Sequence, residues 1–110
     1  MMSNLNEKRW RKLLYWLRKN YPADLPIYVR TKNKLTLFPD YSGVCIRYDT
    51  KIIVEINKNQ SFALKLDAII HEWAHAITLT NTTKKDHGDE WGKAYSRIYS
   101  GFLAWNYGES

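Results

Sequence analysis

One cysteine, three histidines and no long apolar run set the first limits on this chain of 110 residues. The lone Cys45 excludes an intramolecular disulfide and a cysteine-based zinc ribbon, and its apolar neighbours suit a small side chain packed inside a strand. No stretch approaches the ~20 apolar residues of a membrane span, and the N-terminal residues lack the apolar core of a signal peptide. Internal repeats, low-complexity tracts and linker-like segments are absent too. The expectation is one domain over residues 1–110, in a reducing cytosol and with no membrane partner.

Acidic residues are scarce in the first third. Residues 1–34 carry nine Lys/Arg against Glu7 and Asp24, a balance of +7, whereas the rest of the chain carries eight basic and nine acidic side chains. The net charge of +6 therefore belongs to the N-terminal segment. Such a patch can dock on nucleic acid phosphates or on an acidic protein, or it can simply solvate a helix face.

The spacing of Trp10, Leu13, Leu14, Leu17 and Tyr21 predicts a helix over about residues 5–20, with Lys8, Arg11, Lys12, Tyr15, Arg18 and Lys19 on its outer surface. Trp16 falls among the basic residues, where it can stack on a base or pack against a neighbouring loop. Pro22 ends the helix. Four strand candidates follow: Ile27–Thr31, Leu35–Phe38, Val44–Tyr48 and Ile52–Asn57, the last two reading as an antiparallel hairpin. Asn59-Gln60-Ser61 supplies capping chemistry for a long helix Phe62–Leu79. A polar break over Thr80–Lys85 precedes a last helix of about Asp89–Trp105, which has Asp86, Asp89 and Glu90 near its positive end.

With so few histidines, their placement is informative. His71-Glu72-Trp73-Ala74-His75 spells HExxH inside the long helix. Positions four apart lie one turn apart on one face, so both imidazoles project together. Two neutral nitrogens at that separation suit Zn²⁺, and Glu72 can take a proton from a water on the metal. The pattern also arises by chance as an ordinary polar helix face. Here, however, the helix around it is well formed and no histidine is left over. His87, in the loop-like Asp86-His87-Gly88-Asp89, is the expected third ligand. Glu90 is its rival, since some zinc enzymes use a carboxylate there. A metzincin arrangement is excluded, because its third histidine would fall at Asn81. Asp86 or Asp67 can orient an imidazole, and Tyr95 or Tyr99 can polarise a substrate carbonyl or merely pack.

HEWAH, the downstream His87-Gly88-Asp89-Glu90-Trp91 and the Trp/Tyr-rich helix after it resemble the SprT-like zinc metallopeptidases, over about residues 52–99. Small HExxH proteins of bacteriophage origin are similar in length and wording, so the setting expected is the cytoplasm of a bacterium or a phage-infected host. The resemblance implies a zincin-like α+β fold: an N-terminal helix, a small antiparallel sheet, the metal-site helix and a C-terminal helix. It assigns His71, His75 and His87 to zinc and Glu72 to general-base work. It also implies that the strand before the metal helix, Ile52–Asn57, pairs with an extended peptide. The cysteine ribbon of full-length members is missing. Relatives that cleave proteins crosslinked to DNA suggest, by analogy only, a use for the basic first helix.

Two functions are therefore expected. One is a zinc-dependent peptidase acting on protein or peptide substrates, including proteins associated with nucleic acid. The other is a non-catalytic nucleic-acid- or protein-binding module with a structural zinc. Glu72 favours the first, because a purely structural site has no need of it.

Overall fold

A serine hydroxyl starts the first helix. In the computed structural model, which describes residues 3–79 and 88–108, the Ser3 Oγ accepts the Asn6 amide at 3.2 Å and opens α1, Asn4–Asn20. Trp10, Leu13 and Leu17 are its buried stripe, and the Tyr21 amide closes the last turn on the Leu17 carbonyl. Three strands follow: β1 Ile27–Lys32, β2 Gly43–Arg47 and β3 Ile52–Asn57. Two more helices lie among the described residues, α2 Phe62–Thr78 and α3 Asp89–Trp105, the second followed by a short 3₁₀ turn at Asn106–Gly108. The architecture is α+β, and most of its buried apolar side chains form one cluster drawn from these three helices and three strands. The radius of gyration, 13.4 Å, matches the ~13 Å of a folded chain of this length. Among the described residues no helix is long and apolar enough to cross a membrane.

The sheet departs from the expected antiparallel one. Its order is β1-β3-β2. The β2–β3 hairpin is antiparallel as expected, with Cys45 opposite Val54, but β1 runs parallel to β3, from Ile27 opposite Ile52 to Lys32 opposite Asn57. The reason lies in β3 itself. Ile52, Ile53, Val54, Glu55 and Ile56 are all buried, so both faces of this strand are covered and it occupies the centre. A central strand has no open edge, so Ile52–Asn57 cannot pair with a peptide. β2 is an outer strand of the sheet and packs on α2.

Leu35–Phe38 is not a strand. The segment folds back over the sheet's second face, where Leu35 is buried and Glu55 sits on the central strand. A buried carboxylate must be satisfied, and it takes its donors from this loop. The Thr36 amide donates to Oε1 at 2.7 Å and the Thr36 hydroxyl to Oε2 at 2.6 Å, while Lys32 Nζ reaches Oε2 at 3.3 Å. The Thr36 amide is thus spent on a side chain and not on a ladder.

Trp16 packs, as one of its two expected roles has it, although on a helix end and not on a loop. It stacks face to face on Trp105, with centroids 4.9 Å apart and planes 12° from parallel, and meets the edge of Tyr21. Its ring joins α1 to the end of α3 and is committed to packing. Arg47 provides a second tie. Its guanidinium donates to both Asp24 oxygens, at 3.0 and 2.6 Å, and to the Leu79 carbonyl at 2.9 Å. This fastens β2 to the turn before β1 and to the C-terminal cap of α2, and the hydrogen bonds from Arg47 hold the Asp24 carboxyl below its ordinary range.

Burial pushes the Glu55 carboxyl up, but the hydrogen bonds from Thr36 and Lys32 outweigh it and hold the group below its ordinary 4.5. A depressed carboxyl contributes stability that is full above the unfolded value and is lost as the pH falls through the folded one. Glu55→Gln, which faces Thr36 Oγ1 and Lys32 with an amide donor, should lose roughly 1–3 kcal/mol at pH 7. Urea unfolding at neutral pH and well below 4.5 checks this: the gap between the two proteins should close in acid.

Candidate metal centre

The Ser61 hydroxyl accepts the Leu64 amide at 3.2 Å and sets the start of α2. From there the 3.6-residue period divides the helix. Ile69, Ile70, Trp73 and Ala74, with no measurable exposure, fill the core side, and the Trp73 indole donates to the Tyr21 carbonyl at 2.8 Å. Leu64, Asp67, His71 and His75 recur along the opposite stripe, with Glu72 at its margin.

His71, Glu72 and His75 converge. One ligand atom from each lies within 4.8 Å of the other two, His71 Nε2 is 3.7 Å from Glu72 Oε2, and the two imidazole centroids are 5.1 Å apart. Glu72 and His75 are buried, at 7% and 5% exposure, and His71 is half-buried. Two imidazoles and a carboxylate are donors that zinc accepts.

The roof comes from α3, and motif reading missed it. The Trp91 indole donates to the His71 carbonyl at 3.2 Å. Its ring stacks on His75 with centroids 5.3 Å apart and meets His71 at 4.8 Å. Tyr95, one turn on, stacks on Trp91 at 5.0 Å and 11°. The sequence showed only that Trp91 and Tyr95 share a helix face; what that face covers depends on how α3 packs. Gly43 was missed as well. A Cβ there would stand 3.0 Å from Glu72 Cγ and 3.1 Å from Ile56 Cδ1, so the absence of a side chain is what lets β2 lie against Glu72.

The other candidates are sorted by position. His87 and Asp86 lie outside the described residues. Glu90, the rival ligand, is exposed and lines a separate cavity with Ile77, Lys93 and Arg97; it is not part of the donor group. Asp67 accepts the Tyr95 hydroxyl at 2.6 Å. Burial first, then this carboxylate, pushes the Tyr95 phenol up to about 12, which keeps it a donor committed to Asp67. Tyr99 lies farther along α3, edge-on to Tyr95 and Phe102. A cleft of about 290 Å³ opens beside the donors, between α2 and the start of β2, with Tyr41, Gly43, Leu64, Asp67, His71 and Glu72 in its walls. No protein-family model matches the chain, and no curated protein or solved structure matches it either.

Groups that orient metal ligands typically contribute ~10–100-fold to affinity. Trp91→Ala should therefore weaken zinc binding about tenfold, with Trp91→Phe, which keeps a ring against both imidazoles, close to wild type. Competition against a colorimetric chelator measures both.

Proposed function

We propose that the protein is a small zinc-dependent peptidase of SprT-like, zincin type, with His71, His75 and His87 as metal ligands and Glu72 as general base. The observation that carries this reading is the convergence of His71, Glu72 and His75 at the wall of a cleft that Gly43 keeps open. Support for His87 comes from its neighbours in the chain. Gly88 begins the described return, and Trp91 already touches both imidazoles.

Bound zinc supplies Lewis acidity, polarising a carbonyl and lowering the pKa of a water toward neutrality. The chain's own residues do the rest. An extended peptide lying in the cleft between α2 and the start of β2 would bring its scissile carbonyl beside Glu72. Glu72 accepts the proton of the attacking water and passes it to the departing amine. The low exposure of Glu72 keeps bulk water from competing for that proton. His71 and His75 would hold the metal, their rings backed by Trp91, which contacts both.

A second reading rests on a separate observation. Lys8, Arg11, Lys12, Tyr15 and Lys19 are exposed on one face of α1, with Tyr15 at 69% exposure. Such a stripe suits a nucleic-acid- or protein-binding module in which the metal only stabilises the fold.

Replacing Glu72 with Gln discriminates between the two. The peptidase should keep its zinc and lose at least about 100-fold in cleavage of an unfolded protein substrate, while the binding module should notice nothing. His87→Ala should abolish stoichiometric zinc in metal analysis, and zinc retained at full occupancy would remove His87 from the site. Gly43→Ala should bind zinc normally yet cleave about tenfold more slowly, because its Cβ displaces Glu72 and a small misplacement of a catalytic group is costly.

A further inference from the structure

The cleft beside Glu72 contains one acidic group with no part in the hydrolysis. Asp67 lies one turn before His71, on the same face of α2. Its Oδ1 accepts the Tyr95 hydroxyl, and among the described residues no other donor reaches the carboxylate, which leaves Oδ2 open to the cleft. Tyr95 is itself pinned flat against Trp91, so the carboxylate is held by a rigid aromatic partner. Leu64, one turn before Asp67, and Tyr41, on the β2 side, are exposed apolar walls of the same cleft. Tyr41 is backed by Phe38, stacked at 4.6 Å and 15°.

We propose that this pocket selects a lysine or arginine side chain next to the scissile bond, with its methylenes against Leu64 and Tyr41 and its cationic head on Asp67. Lys and Arg bury their stems on apolar surface while the head stays with a polar partner, which is the order of groups that this cleft presents. The Tyr41 ring adds attraction for a cation, and the open carboxylate oxygen gives a charge-assisted hydrogen bond. An apolar side chain would strip water from that oxygen without replacing it, and an acidic one would be repelled. At about 290 Å³ the cleft lies at the lower end of small-molecule pockets and has room for one long side chain.

The direction in which the substrate lies rests on the peptidase reading, but the selectivity is a binding property and can be measured without cleavage. Two extended peptides, identical except for lysine or its uncharged isostere norleucine at one central position, are titrated calorimetrically into zinc-loaded Glu72→Gln protein. The lysine peptide should bind about tenfold tighter. That advantage should vanish in the Asp67→Asn background, which keeps the shape and the acceptor for Tyr95, and shrink in Tyr95→Phe. Equal affinities, a lysine advantage that survives Asp67→Asn, or no saturable binding of either peptide would overturn the proposal. A lysine advantage stands even if wild-type protein leaves the same peptide uncut, a result that counts against the peptidase reading alone.

Discussion

The metal helix must hold polar side chains beneath the surface, and the rest of the molecule is arranged around that demand. Glu72 and His75 lie at 7% and 5% exposure on a helix whose other side is filled by Ile69, Ile70, Trp73 and Ala74. Polar groups removed from water cost several kcal/mol unless they find partners. Here no buried side-chain nitrogen or oxygen among the described residues lacks one. The cover is aromatic on one side and glycine on the other. Trp91 lays a flat ring on His75 and uses its only donor on the His71 carbonyl, while Gly43 lets a strand approach Glu72 with no side chain between. A buried carboxylate that is crowded but still faces a cleft is the condition under which proton transfer is protected from bulk water and remains open to a substrate.

The sheet repeats the principle away from the site. Glu55 is a carboxylate on the central strand, and it recruits the amide and hydroxyl of Thr36 and the ammonium of Lys32. That recruitment ties the loop between β1 and β2 over the outer face, and Tyr41, in the same loop, becomes a wall of the cleft. A polar group buried for structural reasons thus helps to shape the opening beside the candidate catalytic one.

What could be read from the chain followed the range of the interactions involved. All three helices were legible to within one residue at either end, because capping and 3.6-residue periodicity are local. Ser61 caps α2, and the expected span of about Asp89–Trp105 is the span of α3. The HExxH donors were legible for the same reason, since a helix alone brings positions 71, 72 and 75 to one side. The sheet was harder. A short apolar run such as Leu35–Phe38 fits a strand or a loop anchor equally well, and only the tertiary need of Glu55 decides between them. The parallel pairing of β1, the inward turn of Trp16 and the closeness of Gly43 to Glu72 likewise arise from segments far apart in sequence. Trp91 could be placed on a helix face, but that the face covers the histidines follows only from the packing of α3 on α2.

Leu79 and the first turn of α3, on either side of the segment that carries His87, are each held by contacts to other elements. The chain leaves α2 at Leu79, whose carbonyl is held by the Arg47 guanidinium, itself clamped to Asp24. It returns at Gly88, whose carbonyl accepts the Gly92 amide in the first turn of α3, with Trp91 against both imidazoles one residue earlier. Closing a tether on a ligand costs entropy, and the cost grows only slowly with the length of the tether. A guanidinium fixes the chain where it leaves α2, and an indole fixes it where α3 begins. In the metal centre we propose, Arg47 and Trp91 would therefore act as anchors and not as ligands.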